Sequence, residues 1–198
     1  MFLKQHFSKY LAKVTTVEID AGVLLAARDH FGFFVENEPL INSVCADAYE
    51  WVLEADPASN QFDLVFMDIN KEEGDDKINP PIKFFGQDFM SKLQELTTAE
   101  GSLIAFNVIV DGDSNRRKVV QALKAQPNCV KYSSGMQEDL NEVFYLAKGT
   151  FNKQAEDKLD ETENRMQKMG QIINSLKLPR AILQKMQVNF HVDAMRKI

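Results

Sequence analysis

The sequence predicts an α/β domain, a doubly wound and mainly parallel sheet with helices on both faces, and three observations carry that expectation. Strand-like runs alternate with helical stretches of about ten residues, the pattern of βαβ units. Most of the strand-like runs are apolar along their length, as strands buried on both faces are. Where those runs end, polar and mostly acidic residues stand.

In chain order, Leu3, Phe7, Leu11 and Val14 recur at three and four residues and give an opening helix one apolar face. Residues 15–19 then read as a buried strand and 21–31 as a second helix. Residues 40–46 are strand-like, and 48–55 are helical around Trp51 and Val52. The run 62–67, bounded by Asn60 and Asp68, is the most strand-like of all. Residues 87–96 form an amphipathic helix, Glu100-Gly101 breaks it, and 102–110 is a long apolar strand. A helix over 115–125 stops at Pro127-Asn128, and 130–133 with 142–147 make a final antiparallel pair. Domain organisation follows: residues 1–150 form the α/β domain and 151–198 a C-terminal helical extension packing on it. Over 154–177, Leu159, Thr162, Met166, Met169, Ile173 and Leu176 repeat by three and four, and Pro179 ends that helix.

Composition excludes several classes. With 198 residues, 44% hydrophobic and 26% charged, the chain is an ordinary globular domain with a sizeable core. A net charge of -6 argues against nucleic acid, whose binding needs clustered Lys and Arg. The run Arg116-Arg117-Lys118 reads as a solvated helix face. No apolar run approaches the roughly 20 residues that span a bilayer, and the N-terminus lacks a secretory apolar stretch. No membrane partner and a cytoplasmic location are expected. Cys45 and Cys129 stand far apart, with Cys45 read as a buried reduced thiol; His6, His30 and His191 are equally isolated, so no metal is expected.

In doubly wound sheets, ligands bind beyond the carboxyl ends of the strands, so the residues after each strand decide function. Those residues are Glu18 and Asp20, then Asp47, then Asp68, and finally Asn107 or Asp111. Each Asp has a plain alternative, since Asp caps helices by accepting from their first amides. Asp20 and Asp47 sit where caps belong, and both readings stay open for them. No helix begins directly after Asp68, which leaves it the more suggestive. A carboxylate ending the second strand of a nucleotide-binding fold accepts from ribose hydroxyls, and Glu18 occupies such a position.

The runs Val17-Glu18-Ile19-Asp20, Ala46-Asp47-Ala48 and Phe62-Asp63-Leu64-Val65-Phe66-Met67-Asp68 resemble the class I S-adenosylmethionine-dependent methyltransferases, in the branch related to spermidine synthases. The resemblance continues through Asn79-Pro80-Pro81, Leu103-Ile104-Ala105-Phe106-Asn107 and Asn141-Glu142-Val143, and covers residues 1–150. It implies a Rossmann-like fold, S-adenosyl-L-methionine as cofactor, and a protein amine as acceptor, of the kind elongation factor 1-alpha offers. It also implies roles: Glu18, with Asp20 beside it, for the ribose; Asp47 for the adenine amino group, with Ala48 beside the ring; Asp68 at the methylsulfonium; and Asp68 and Asn107 at the reacting centre.

The departures carry their own expectations. The family's first strand and glycine-rich turn have no counterpart before Glu18, and Gly22 comes after it. A truncated gene product is the expected reason, ahead of a non-enzymatic descendant or a chain completed by a partner. An open sheet edge would invite a homodimer or a partner completing the sheet. Asp68 is followed by Ile69-Asn70-Lys71 and lacks the second acid of spermidine synthases, which favours methyl transfer over aminopropyl transfer. A third reading is a non-catalytic protein that binds a partner through the 154–177 helix. The acidic loop 69–83 serves either as a substrate gate or as a solubilising loop.

Overall fold

A computed structural model describes residues 13–31, 41–70, 78–135, 141–150 and 195–198. The chain divides into two compact units, Met1–Glu54 and Ala55–Ile198. Of the expected opening helix, Leu3, Phe7 and Leu11 lie outside the described residues, as do the centre of the 69–83 loop and the 154–177 helix, whereas Val14, read on that helix, begins a strand instead.

In the first unit, β1 (Val14–Glu18), α1 (Ala21–Phe31), β2 (Ile41–Cys45) and α2 (Ala48–Glu54) follow one another. Val14, Thr15, Thr16 and Val17 are all β-branched, which suits a pleated strand. β1 and β2 pair in parallel from Val14 opposite Ile41 to Glu18 opposite Cys45. Their ladder runs one step further, with the Ala46 amide donating to the Glu18 carbonyl at 3.0 Å. Among the described residues of this unit only Val52 is buried, while Ile19, Val23, Leu25 and Phe31 are exposed. Cys45, expected to be buried, is exposed, because the middle of its strand, Asn42 and Ser43, also lies in solvent.

The second unit holds β3 (Leu64–Met67), β4 (Ile78–Asn79), a 3-10 turn (Ile82–Phe85), α3 (Gln87–Glu95), β5 (Gly101–Val110), α4 (Asp113–Lys124), β6 (Val130–Gly135), β7 (Asn141–Gly149) and β8 (Met195–Lys197). Its strands run in the order β3-β5-β7-β6-β8, with β4 also on β5. β3 and β5 are parallel, and the expected antiparallel pair appears as β6 and β7, with β7 against β5. β4, the 3-10 turn and β8 were not legible in the sequence. β8 falls within the stretch read as a helical extension and pairs antiparallel with β6.

The core of this unit lies under one face of β5. Ile104, Phe106 and Val108 alternate along that face and are at most 1% exposed. Phe89, Met90 and Leu93 supply the apolar stripe of α3, and Val119 and Leu123, one turn apart, supply that of α4. Phe84 meets Phe89 edge to face at 5.0 Å, and Phe85 lies 5.4 Å from Phe106. Such aromatic pairs add about 0.5–1.5 kcal/mol beyond the area they bury. The packing holds β3 and β5 in place and so fixes the residues at their carboxyl ends.

Candidate functional site

In the first unit the acidic residues sit just after the strands, as expected, and the structure shows what each does locally. Glu18 ends β1, and its Oε1 accepts from the Asp20 amide at 2.9 Å. Asp20 in turn caps α1: its Oδ1 accepts from the Gly22 amide at 2.6 Å and its carbonyl from the Leu24 amide at 3.2 Å. Asp47 caps α2 in the same way, with Oδ1 accepting from Tyr49 at 2.8 Å and its carbonyl from Trp51 at 2.9 Å. Of the two readings left open for Asp20 and Asp47, the capping one is therefore realised, each cap using one carboxylate oxygen. Ala48 is the first residue of α2 and puts only a methyl group there.

In the second unit Asp68 follows β3 directly and is exposed. Extending the β3–β5 register by one residue, from Met67 opposite Phe106, sets Asp68 opposite Asn107. Asn107 Nδ2 donates to Asp68 Oδ1 at 2.9 Å. An ionised carboxylate only accepts, so this bond turns the Asn107 amide nitrogen toward Asp68 and its oxygen away. The pair expected at the reacting centre is thus joined where β3 ends, although Asn107 lies within β5, three residues before its last, rather than at its carboxyl end. Asp111, the alternative to Asn107, lies four residues further on, beyond the end of β5.

The basic run is not wholly solvated. Arg116 donates Nε to Glu142 Oε2 at 2.6 Å and a second guanidinium nitrogen to Oε1 at 2.7 Å. This two-point pair raises the Arg116 pKa above its ordinary value, hydrogen bonding to Glu142 being the main cause. It ties α4 to β7, a contact between residues 26 positions apart that no local pattern announces. Among the described residues no group of three or more His, Cys, Asp or Glu could hold a metal ion. No helix among them is long and apolar enough to cross a membrane.

Strands and helices in this order, with polar residues following parallel strands, make a mixed, Rossmann-like α/β fold. Among solved structures, the crystal structure of human methyltransferase-like protein 13 in complex with SAH is similar to this chain with a TM-score of 0.70 and 20% identity. The similarity covers 90% of this chain and 77% of that one, and it is a likeness of fold. No protein-family profile matches the sequence. No curated protein matches it either.

Proposed function

We propose that this chain is an S-adenosylmethionine-dependent methyltransferase acting on a protein amine, a lysine or N-terminal amine of an elongation factor 1-alpha-like substrate, in the cytoplasm. The observation that carries the reading is the Asp68–Asn107 pair, set where β3 ends beside its parallel neighbour β5, in a fold like that of an SAH-bound methyltransferase. S-adenosylmethionine, when bound, would supply an electrophilic methyl group on a sulfonium.

The residues present fit such a group. Glu18 uses Oε1 to accept from the Asp20 amide, which orients the carboxylate and leaves Oε2 to accept from a ribose hydroxyl. Asp20 serves this reading through its amide, because its own carboxylate is engaged at the start of α1. Asp47 offers an acceptor for an adenine amino group, and Ala48 is small enough to lie beside a ring. Asp68, held by Asn107, hydrogen-bonds the incoming amine and directs its lone pair. Its negative charge also favours a cationic reacting centre. Methyl transfer is an in-line displacement, so positioning and electrostatics supply most of the acceleration.

The test is a calorimetric titration of S-adenosylhomocysteine into the chain and into Glu18→Ala. A loss of at least about tenfold in affinity, equivalent to about 1.4 kcal/mol, is expected for the variant. Equal affinity for the two proteins, or no binding by either, overturns the assignment.

A further inference from the structure

We propose that Lys148 is a site of reversible carbamylation by carbon dioxide, its carbamate held by the Ser102 hydroxyl and the Lys131 ammonium. The proposal is independent of the methyltransferase reading. Every residue it uses lies in the second unit, toward the start of β5 and away from Asn107.

Strand register places these residues together. Ser102 stands opposite Lys148 in the β5–β7 ladder, and opposite residues share a face. It is the face of the buried Ile104 and Phe106, which follow Ser102 at alternate positions along β5. Lys131 of β6 pairs with Leu146, which stands two residues before Lys148, and so belongs to the same face. One rung beyond the paired Val130 and Ala147, Cys129 falls opposite Lys148. Cys129 feels the charge of both lysines, which sets the two amines near one thiol. Glu142, a carboxylate on the same face of β7, is six residues from Lys148 and is engaged by Arg116.

Carbamylation needs an unprotonated amine that carbon dioxide can reach, and donors for the anion that forms. Lys148 is half-buried, and its Nζ donates to the Gln94 carbonyl at 2.8 Å and to Thr97 Oγ1 at 2.9 Å. Both partners are neutral, and among the described residues no carboxylate holds the ammonium form. Burial therefore pushes Lys148 toward the free amine, with Cys129 opposing more weakly. Across the ladder the Ser102 side chain is 0% exposed and its Oγ has no hydrogen-bond partner, a rare condition for a buried hydroxyl. In the reaction the Nζ lone pair attacks the carbon of carbon dioxide and forms an N–C bond, while one C=O electron pair moves onto oxygen. The nitrogen releases one proton to water, and a carbamate with one negative charge remains. Carbon dioxide is the only reactant, and nothing is oxidised or reduced. The carbamate nitrogen keeps one N–H for one of its two present acceptors, and the Gln94 carbonyl retains the Thr97 hydroxyl in either case. The new oxygens accept from Ser102 and from Lys131, which gives the orphaned hydroxyl a partner and the anion a counter-charge. Carbon dioxide is small and uncharged, which suits an amine that is half-buried.

The experiment is to equilibrate the full chain with carbon-13 carbon dioxide at mildly alkaline pH, trap carbamates as ethyl esters with triethyloxonium, and map the label by peptide mass spectrometry. Lys148 should be labelled at least about threefold more than Lys124, an exposed lysine of the same chain, because the free-amine fraction follows the pKa. Ser102→Ala keeps the amine and removes the proposed donor, and it should lower the label at Lys148 by at least about threefold. Its thermal midpoint without carbon dioxide should not fall, since the hydroxyl it deletes has no partner. Lys131→Met should lower the label at Lys148 as well, and it supplies the readout should Ser102→Ala not fold. Equal label at Lys148 and Lys124, or undiminished label in either folded variant, overturns the site. So does stabilisation by bicarbonate with no ethyl carbamate at Lys148, which would mean a bound ion and no covalent step.

Discussion

Lys148 and Cys129 titrate in opposite senses although they are near enough to influence each other's charge. Burial lowers the Lys148 ammonium from its ordinary 10.5, and nearby Cys129 raises it by a smaller amount. Its Nζ donates to the Gln94 carbonyl at 2.8 Å and to Thr97 Oγ1 at 2.9 Å, neutral partners that do not repay a charge as a carboxylate would. Just below pH 10.5 the unfolded chain keeps a proton that the folded chain has released, so this lysine makes stability rise with pH there. As pH falls through the lowered folded value, that gain is lost. Burial pushes the Cys129 thiol above its ordinary 9.0, so above pH 9.0 the folded chain holds the extra proton and stability falls with pH. The two slopes oppose each other, and single variants separate them. Urea midpoints followed into the alkaline range should decline more steeply in Lys148→Met than in the unaltered chain and rise relative to it in Cys129→Ser. Parallel profiles for all three proteins would mean that burial does not govern either group.

β7 ends at Gly149 because no other residue fits there. Its φ is +59°, in the left-handed region, and a Cβ on it would run into the backbone of Ala99 and Glu100. The close approach is what lets the Thr150 amide donate to the Glu100 carbonyl at 2.7 Å and sets Gly149 opposite Gly101 at the start of β5. The long β5–β7 ladder carries Asn107 and Ile109, so this clamp lies at the far end of the strands from the site. Gly149→Ala should cost about 1–3 kcal/mol of stability, the price of a strained backbone position. A chemical denaturation curve measures it, and a loss below about 0.5 kcal/mol would show that the Glu100 turn moves aside freely.

What the sequence made legible, and what it did not, follows the range of the interactions. α1 and β5 begin and end within two residues of their expected bounds, because β-branched runs, apolar stripes and Gly or Pro breaks are local signals. Asp68 was legible as a strand end for the same reason, whereas Asn107 lies within β5 and its hydrogen bond to Asp68 depends on register between strands far apart in sequence. β4, with two residues, and β8, with three, are too short to show periodicity and exist because β5 and β6 pair with them. The division after Glu54 falls at the run Asp56-Pro57-Ala58-Ser59-Asn60, whose turn-forming composition a loop inside one domain would show equally. It also has a physical signature in burial. The described part of the first unit buries one side chain, Val52, whereas the second unit buries side chains along β5, β7, α3 and α4. Opening free energy follows buried apolar contact, so backbone amides of Ile104, Phe106 and Leu146, all at most 1% exposed, should exchange slowest in the molecule. Those of Thr16 and Val44, in the β1–β2 pair, should exchange at least about tenfold faster under native conditions, each unit opening with its own free energy. Hydrogen exchange read residue by residue tests this directly. Equal protection in the two units would mean that they unfold as one cooperative body and that the sparse packing of the first unit does not set its stability.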